Sequence, residues 1–161
     1  MFMRRTQTKL IVVGLSVLLL SSCQGMLAMW VVPGSTADNL VFGWSTARDG
    51  DETIQPEEIR VFPCETIRRQ SNGSYYPQSE RAVWAASSRY DALPPPTNRV
   101  TYGQGFSQSS SKPLAVPGCY VVIAYAREGH GTTEVATMGF KIASDGTVDN
   151  MPRAEYETLF R

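Results

Sequence analysis

Short segments rich in β-branched and aromatic residues recur from residue 40 onward, separated by glycine, proline and polar turns. No long segment has apolar residues at helical spacing. Many short strands at this density are typical of an antiparallel β-sandwich or barrel. The segments are LVFGW (40–44), IRVFPC (59–64), AVWAAS (82–87), RVTYG (99–103), CYVVIAYA (119–126) and EVATMGFKIA (134–143).

Alternation of side chains within these segments supports their assignment as strands, because successive residues of a strand point to opposite faces. The fold we predict is an all-β, antiparallel β-sandwich of about seven strands, immunoglobulin-like or transthyretin-like in plan, over residues 39–161 with a short C-terminal tail. The residues predicted to share a face are Leu40, Phe42 and Trp44 in one segment and Val121, Ile123 and Tyr125 in another.

The connections are predicted from glycine and proline. REGHGTT (127–133) indicates a hairpin loop, and Asp145-Gly146 a turn before a short last strand near Val148. The polar stretches 65–81 and 104–118 are predicted to be loops. Pro152 is expected to open one or two helical turns whose apolar residues pack back on the domain. Those residues are Tyr156, Leu159 and Phe160.

The N-terminus has the three parts of an export signal: a basic start, an apolar middle (10–20) and small residues after it. The apolar middle is too short to span a bilayer, which takes roughly 20 helical residues. The residues Leu20, Ser21, Ser22 and Cys23 then match the lipobox at every position, and the stretch resembles the signal of bacterial lipoproteins.

This resemblance implies a signal peptide over 1–22 and a tether over 23–38. Cys23 would carry a diacylglyceryl group on its sulfur, become the first residue and be acylated on its amino group. Several acyl chains together anchor a protein stably. Gln24, in place of an aspartate, favours the outer membrane, so we expect a lipid-anchored envelope protein facing the periplasm. The alternative is an uncleaved membrane anchor that continues through 26–32.

With Cys23 lipidated, Cys64 and Cys119 are left as a pair in a compartment where disulfides persist. A disulfide between them is the favoured prediction, and two free buried thiols are the alternative. Removal of the signal also removes three positive charges from a chain that has 15 of each sign, so the mature chain is mildly acidic. Nucleic acid is therefore not an expected partner.

No pattern indicates catalysis, a cofactor or a metal site. His130 is the single histidine and lies between two glycines, so an exposed turn residue is favoured over a catalytic one. Zinc would need more nitrogen and sulfur ligands than the chain offers. Asp49, Asp51 and Glu52 form an acidic cluster without the ligand spacing of a calcium loop, which favours a solvated turn.

Aromatic residues are the remaining clue to binding, since tryptophan and tyrosine dominate interaction hot spots. Trp44 and Trp84 lie in predicted strands and are expected in the core, whereas Trp30 lies outside them. The candidate contact patch lies in and around the 65–81 loop. The alternative is that the tyrosines of this loop cover the edge of a strand. Its residues are Tyr75, Tyr76, Arg68, Arg69 and Arg81.

These observations favour a non-enzymatic module, anchored to the membrane through Cys23, that binds an envelope protein or assists envelope assembly. The alternative is an inhibitor of a periplasmic hydrolase, which would insert a loop into the active-site cleft of the hydrolase. An enzyme with an unrecognised carboxylate site is the third hypothesis.

Overall fold

The computed structural model describes residues 27–46, 55–67, 79–88, 97–127 and 133–161. Within these ranges the chain forms nine strands, a short helix and three 3₁₀ helices. The strands are β1 (Leu27–Val31), β2 (Val41–Thr46), β3 (Gln55–Pro63), β4 (Trp84–Ser87), β5 (Arg99–Thr101), β6 (Gln108–Ser111), β7 (Gly118–Arg127), β8 (Thr133–Ile142) and β9 (Val148–Asn150). The helix is α1 (Arg153–Tyr156), and the 3₁₀ helices are Cys64–Thr66, Ser79–Arg81 and Glu157–Phe160.

Two antiparallel sheets make up the domain. The small sheet has the order β1-β2-β5, and the large sheet has the order β6-β4-β3-β7-β8-β9. The predicted antiparallel β-sandwich is confirmed, with nine strands in the described residues rather than about seven. Their division into three and six differs from the four and three of an immunoglobulin constant domain.

Strand β1 corrects the predicted tether over 23–38. Leu27–Val31 is not a tether but a strand, paired along its length with β2. Leu27 and Val31 are buried in the core, which explains why the segment belongs to the domain. The turn that follows is bonded to the rest of the domain, since Thr36 bridges Thr147. Residues 23–26 lie outside the described ranges.

Strand β6 corrects part of the predicted loop over 104–118. Gln108–Ser111 pairs with β4, and all four of its side chains are exposed. Serine and glutamine carry no strand signal of their own. The strand forms because β4 offers its backbone as a partner, and that partner is 21 or more residues away in sequence.

The main core lies between the two sheets. Leu40, Phe42 and Trp44 are each 1% exposed or less, so the predicted inward row of the small sheet is confirmed. Trp84 faces them from the large sheet, with its ring stacked on Phe42 at a centroid distance of 6.2 Å. Both buried indoles have partners: Trp44 donates to the carbonyl of Thr97 (2.7 Å), and Trp84 donates to the Ser109 hydroxyl (2.9 Å).

A second, smaller core lies on the outer face of the large sheet. Phe62 and Val121 are buried there, with Leu159 and Phe160 of the tail packed against them. Tyr156 donates a hydrogen bond to the carbonyl of Thr137 (3.0 Å). The predicted helical tail that packs back on the domain is therefore confirmed, and it covers only one half of this face.

Candidate binding surfaces

Most of the predicted contact patch lies outside the described residues. Arg68, Arg69, Tyr75 and Tyr76 belong to this group, and so does Cys23. Arg81 is described: it ends the 3₁₀ helix Ser79–Arg81 and is exposed. The patch and the lipidated cysteine therefore stay predictions.

The predicted disulfide between Cys64 and Cys119 is confirmed, with a Cα–Cα distance of 5.4 Å. It joins the residue after β3 to the start of β7. The 3₁₀ turn that begins at Cys64 is further braced, because the Thr66 hydroxyl donates to the carbonyl of Pro63 (2.7 Å) and Ile67 is buried. The chain therefore enters the 68–78 stretch from a braced position.

The strand directions give the sandwich two distinct ends, and two contacts relate the sheets. The turn after β1 meets the turn after β8, since Thr36 bridges Thr147 and the Ala37 N–H donates to the carbonyl of Gly146 (3.2 Å). Leu27, at the start of β1, therefore lies at the end opposite the β8–β9 turn.

The disulfide lies at the end with those two turns. Gly118 at the start of β7 pairs with Ile142 at the end of β8, and Pro63 pairs with Tyr120. We call this end the Cys64 end and the other the Leu27 end. Ile67 and Ser79, which flank the 68–78 stretch, both adjoin strand termini at the Cys64 end. The described residues therefore place the roots of the predicted contact loop at the end opposite the start of β1.

An open groove of about 550 Å³ lies on the outer face of the large sheet, in the half that the tail leaves uncovered. Its floor is made of small side chains on β4 and β6, and Glu58 and Arg60 of β3 form one wall as an ion pair. The strand register brings these residues together, because Ser87 pairs with both Glu58 and Gln108. The lining residues are Glu58, Arg60, Ala85, Ala86, Ser87, Ser107, Gln108, Ser109 and Ser110.

The groove is electrically neutral and rich in groups that both donate and accept hydrogen bonds. Glu58 is the one carboxylate among its lining residues. The groove was not predicted from the sequence, because the 104–118 stretch was expected to be a loop. The serines at 107 and 109–111 were the available signal, but a serine run by itself does not indicate which strand it joins.

Tyr102 joins the small sheet to the β4–β6 edge of the large sheet. Its hydroxyl lies within hydrogen-bonding distance of two carbonyl oxygens, those of Lys112 (2.8 Å) and Val83 (3.0 Å), and donates to one at a time. Burial raises the pKa of the Tyr102 hydroxyl well above its ordinary value. The group therefore stays protonated and bridges the two sheets, which is a structural role.

In the described ranges, no three His, Cys, Asp or Glu side chains cluster so as to hold a metal ion. His130 and the acidic residues at 49–52 lie outside those ranges. No helix within the described part of the chain is long and apolar enough to cross a membrane. The chain matches no protein-family model, no curated protein and no solved structure.

Proposed function

We propose that this protein is an envelope lipoprotein, anchored through acyl chains on Cys23, whose β-sandwich binds a protein partner without catalysing a reaction. We propose that the anchor lies in the outer membrane and that the domain lies in the periplasm. The observation that carries the proposal is that two features lie at opposite ends of the sandwich. The strand that follows the anchor begins at the Leu27 end, and the braced roots of the 68–78 stretch lie at the Cys64 end.

This arrangement places the contact loop far from the end of the domain that is anchored to the membrane. Strands β7 and β8 have ten residues each, so the two ends are roughly 30 Å apart at about 3.4 Å per residue. A contact loop at the Cys64 end is thus not crowded by acyl chains at Cys23. The disulfide and the buried Ile67 hold one root of that loop in place, so the entropic cost of fixing this root is paid on folding rather than on binding.

The lining of the groove does not favour a catalytic function. Glycosidase-like chemistry needs two carboxyl groups flanking the scissile bond. The groove offers Glu58 alone among its lining residues, and Arg60 is paired with it. The neutral lining also gives no reason to expect nucleic acid as a partner.

A crosslinking pull-down of the lipidated protein from its own envelope tests the proposal. We expect a specific partner that is lost in a Tyr75→Ala, Tyr76→Ala double variant and retained in Ser110→Tyr, which fills the groove. The reverse pattern would move the site to the groove and keep the binding module. If the lipidated protein without any substitution captures no specific partner, the proposal is wrong.

An inhibitor of a periplasmic hydrolase is the second candidate, because an inhibitor inserts a loop whose ends are held in place. Here the disulfide at Cys64 braces one root of the 68–78 stretch. The same experiment separates the two. A captured hydrolase whose activity falls on addition of the soluble domain would identify an inhibitor, whereas a captured partner with unchanged activity would identify an assembly or binding module.

A further inference from the structure

The outer face of the small sheet carries a single charged side chain among the outward residues of its three strands. Residues directly opposite each other in an antiparallel pair share a face, so the outward row is read from the register. Trp30 pairs with Gly43, which pairs with Arg99, and Ala28 pairs with Ser45. Among the outward residues of its three strands, Arg99 is the one charged side chain. They are Ala28, Trp30, Val41, Gly43, Ser45, Arg99 and Thr101.

Trp30 dominates this face. Its indole lies against Gly43, so closely that a Cβ atom at position 43 would come within 2.7 Å of the ring. Gly43 is buried beneath it, yet Trp30 remains 36% exposed. The other two tryptophans, Trp44 and Trp84, are 1% and 0% exposed. One indole thus lies flat on the sheet with part of its surface in solvent.

The chain that precedes this face is short. Cys23 is four residues before Leu27, and an extended chain spans at most about 3.5 Å per residue, so the two are no more than roughly 14 Å apart. A tether over all of 23–38 would have reached roughly 50 Å. Strand β1 is also an edge of the small sheet, so this sheet is the part of the domain nearest to an anchor at Cys23.

We infer that the outer face of the small sheet rests on the lipid headgroups, with Trp30 in the membrane interface and Arg99 beside lipid phosphate. This inference rests on the proposed lipidation of Cys23. Tryptophan is enriched at membrane interfaces, because its ring is apolar and its N–H is polar. Arginine pairs well with phosphate, and none of the outward residues of these three strands is a carboxylate that would repel an anionic headgroup.

The opposite side of the sandwich is a poor candidate for the same contact. The outer face of the large sheet carries acidic as well as basic side chains, among them Glu58 and the exposed Asp149. With the small sheet on the membrane, the groove faces away from the bilayer and the Cys64 end stays open at the side. The acyl chains supply the affinity, and the face sets the orientation.

The test is tryptophan fluorescence of the mature, lipidated protein on vesicles of phosphatidylethanolamine and phosphatidylglycerol with bromine on their acyl chains. Bromine quenches an indole at the interface but not one inside the sandwich. We expect quenching relative to vesicles without bromine, and its loss in Trp30→Phe, which keeps an aromatic ring over Gly43. Arg99→Glu should weaken the quenching, and Gly-Ser residues inserted after Gly25 should weaken it further.

Flotation of the vesicles distinguishes the two ways to fail. Protein that floats with the vesicles but shows no Trp30 quenching would overturn this inference and leave the lipoprotein proposal intact. Protein that carries no acyl groups by mass spectrometry and does not float would refute the proposed anchoring itself. If Trp30 is shielded from a water-soluble quencher but not quenched by bromine, a second copy of this chain covers the face, and a lipid occupant is wrong.

Discussion

The side chain of Asn150 takes the place of a neighbouring strand for Val31. Its Oδ1 accepts a hydrogen bond from the Val31 N–H at 2.7 Å, and its amide nitrogen donates to the Val31 carbonyl at 3.1 Å. Asn150 ends β9, the edge of the large sheet, and Val31 ends β1, the edge of the small sheet. One side chain therefore joins the two sheets at this edge, across 119 residues of sequence.

Asn150→Ala should destabilise the domain by about 1–3 kcal/mol, because Val31 is 2% exposed and its N–H and carbonyl would lose their partners. Urea denaturation measures the loss. Asp149→Ala, at the exposed neighbouring position, is the matched control and should change the free energy of unfolding little. An Asn150→Ala variant as stable as this control would show that the two bonds contribute nothing net.

Gly43→Ala should cost about 1–3 kcal/mol, because the added methyl group would overlap the indole of Trp30. In a Trp30→Ala background the obstacle is gone, and the same change should become neutral or stabilise the strand by up to about 1 kcal/mol, since alanine loses less backbone entropy than glycine. A double-mutant cycle by urea denaturation checks this coupling. Additive effects would mean that the indole does not restrict this position.

Replacement of both Cys64 and Cys119 by alanine should reduce the free energy of unfolding by about 4 kcal/mol. In the intact protein, the disulfide joins cysteines 55 residues apart in sequence and so lowers the chain entropy of the unfolded state. The variant regains that entropy on unfolding, which makes it less stable. Denaturation of both proteins with and without a reductant supplies the control, because a reductant should destabilise the parent protein and leave the variant unchanged. A loss below about 1 kcal/mol would contradict the entropic account.

Stability should decline at alkaline pH on account of three tyrosines. Burial raises the pKa of Tyr102, Tyr120 and Tyr156. Because the folded state favours the protonated form, this contribution is fully present below the unfolded pKa of about 10 and is lost as the pH rises through the higher folded values. Urea denaturation at a series of pH values above neutrality measures the slope.

Tyr102→Phe separates the titration from the hydrogen bond. The variant should lose about 1 kcal/mol at neutral pH, where the Lys112 carbonyl loses its donor, and should decline less steeply above about pH 10. An unchanged alkaline slope would assign the decline to groups other than Tyr102.

Local patterns explain why much of the fold was predictable. The row at Leu40, Phe42 and Trp44 shows period-2 apolar alternation that is visible without any knowledge of partners. The turn at Asp145-Gly146 is equally local: Gly146 has a φ of 83°, and the Asp145 carboxylate accepts from the Thr147 N–H at 3.0 Å. The disulfide was predicted from the count of cysteines, because two remain once Cys23 is set aside as the predicted lipidation site.

The candidate surfaces were less predictable, because they depend on which strands become neighbours. The groove joins Glu58, Ser87 and Gln108, and nothing near any of them in sequence indicates the other two. The predicted patch at Tyr75 and Tyr76 lies outside the described residues and stays a prediction.

By itself, the sequence determined the class of fold, most of the strands, the turn at Gly146, the helical tail and the cysteine pair, since each depends on residues close together in the chain or on a simple count. Tertiary structure alone decided that 27–31 is a strand of the domain rather than a tether, that the serines of β6 extend the large sheet, and that Trp30 lies on Gly43. Those outcomes depend on backbone pairing between distant segments. A strand edge bonds to whichever backbone the fold brings beside it, and no local composition encodes that partner.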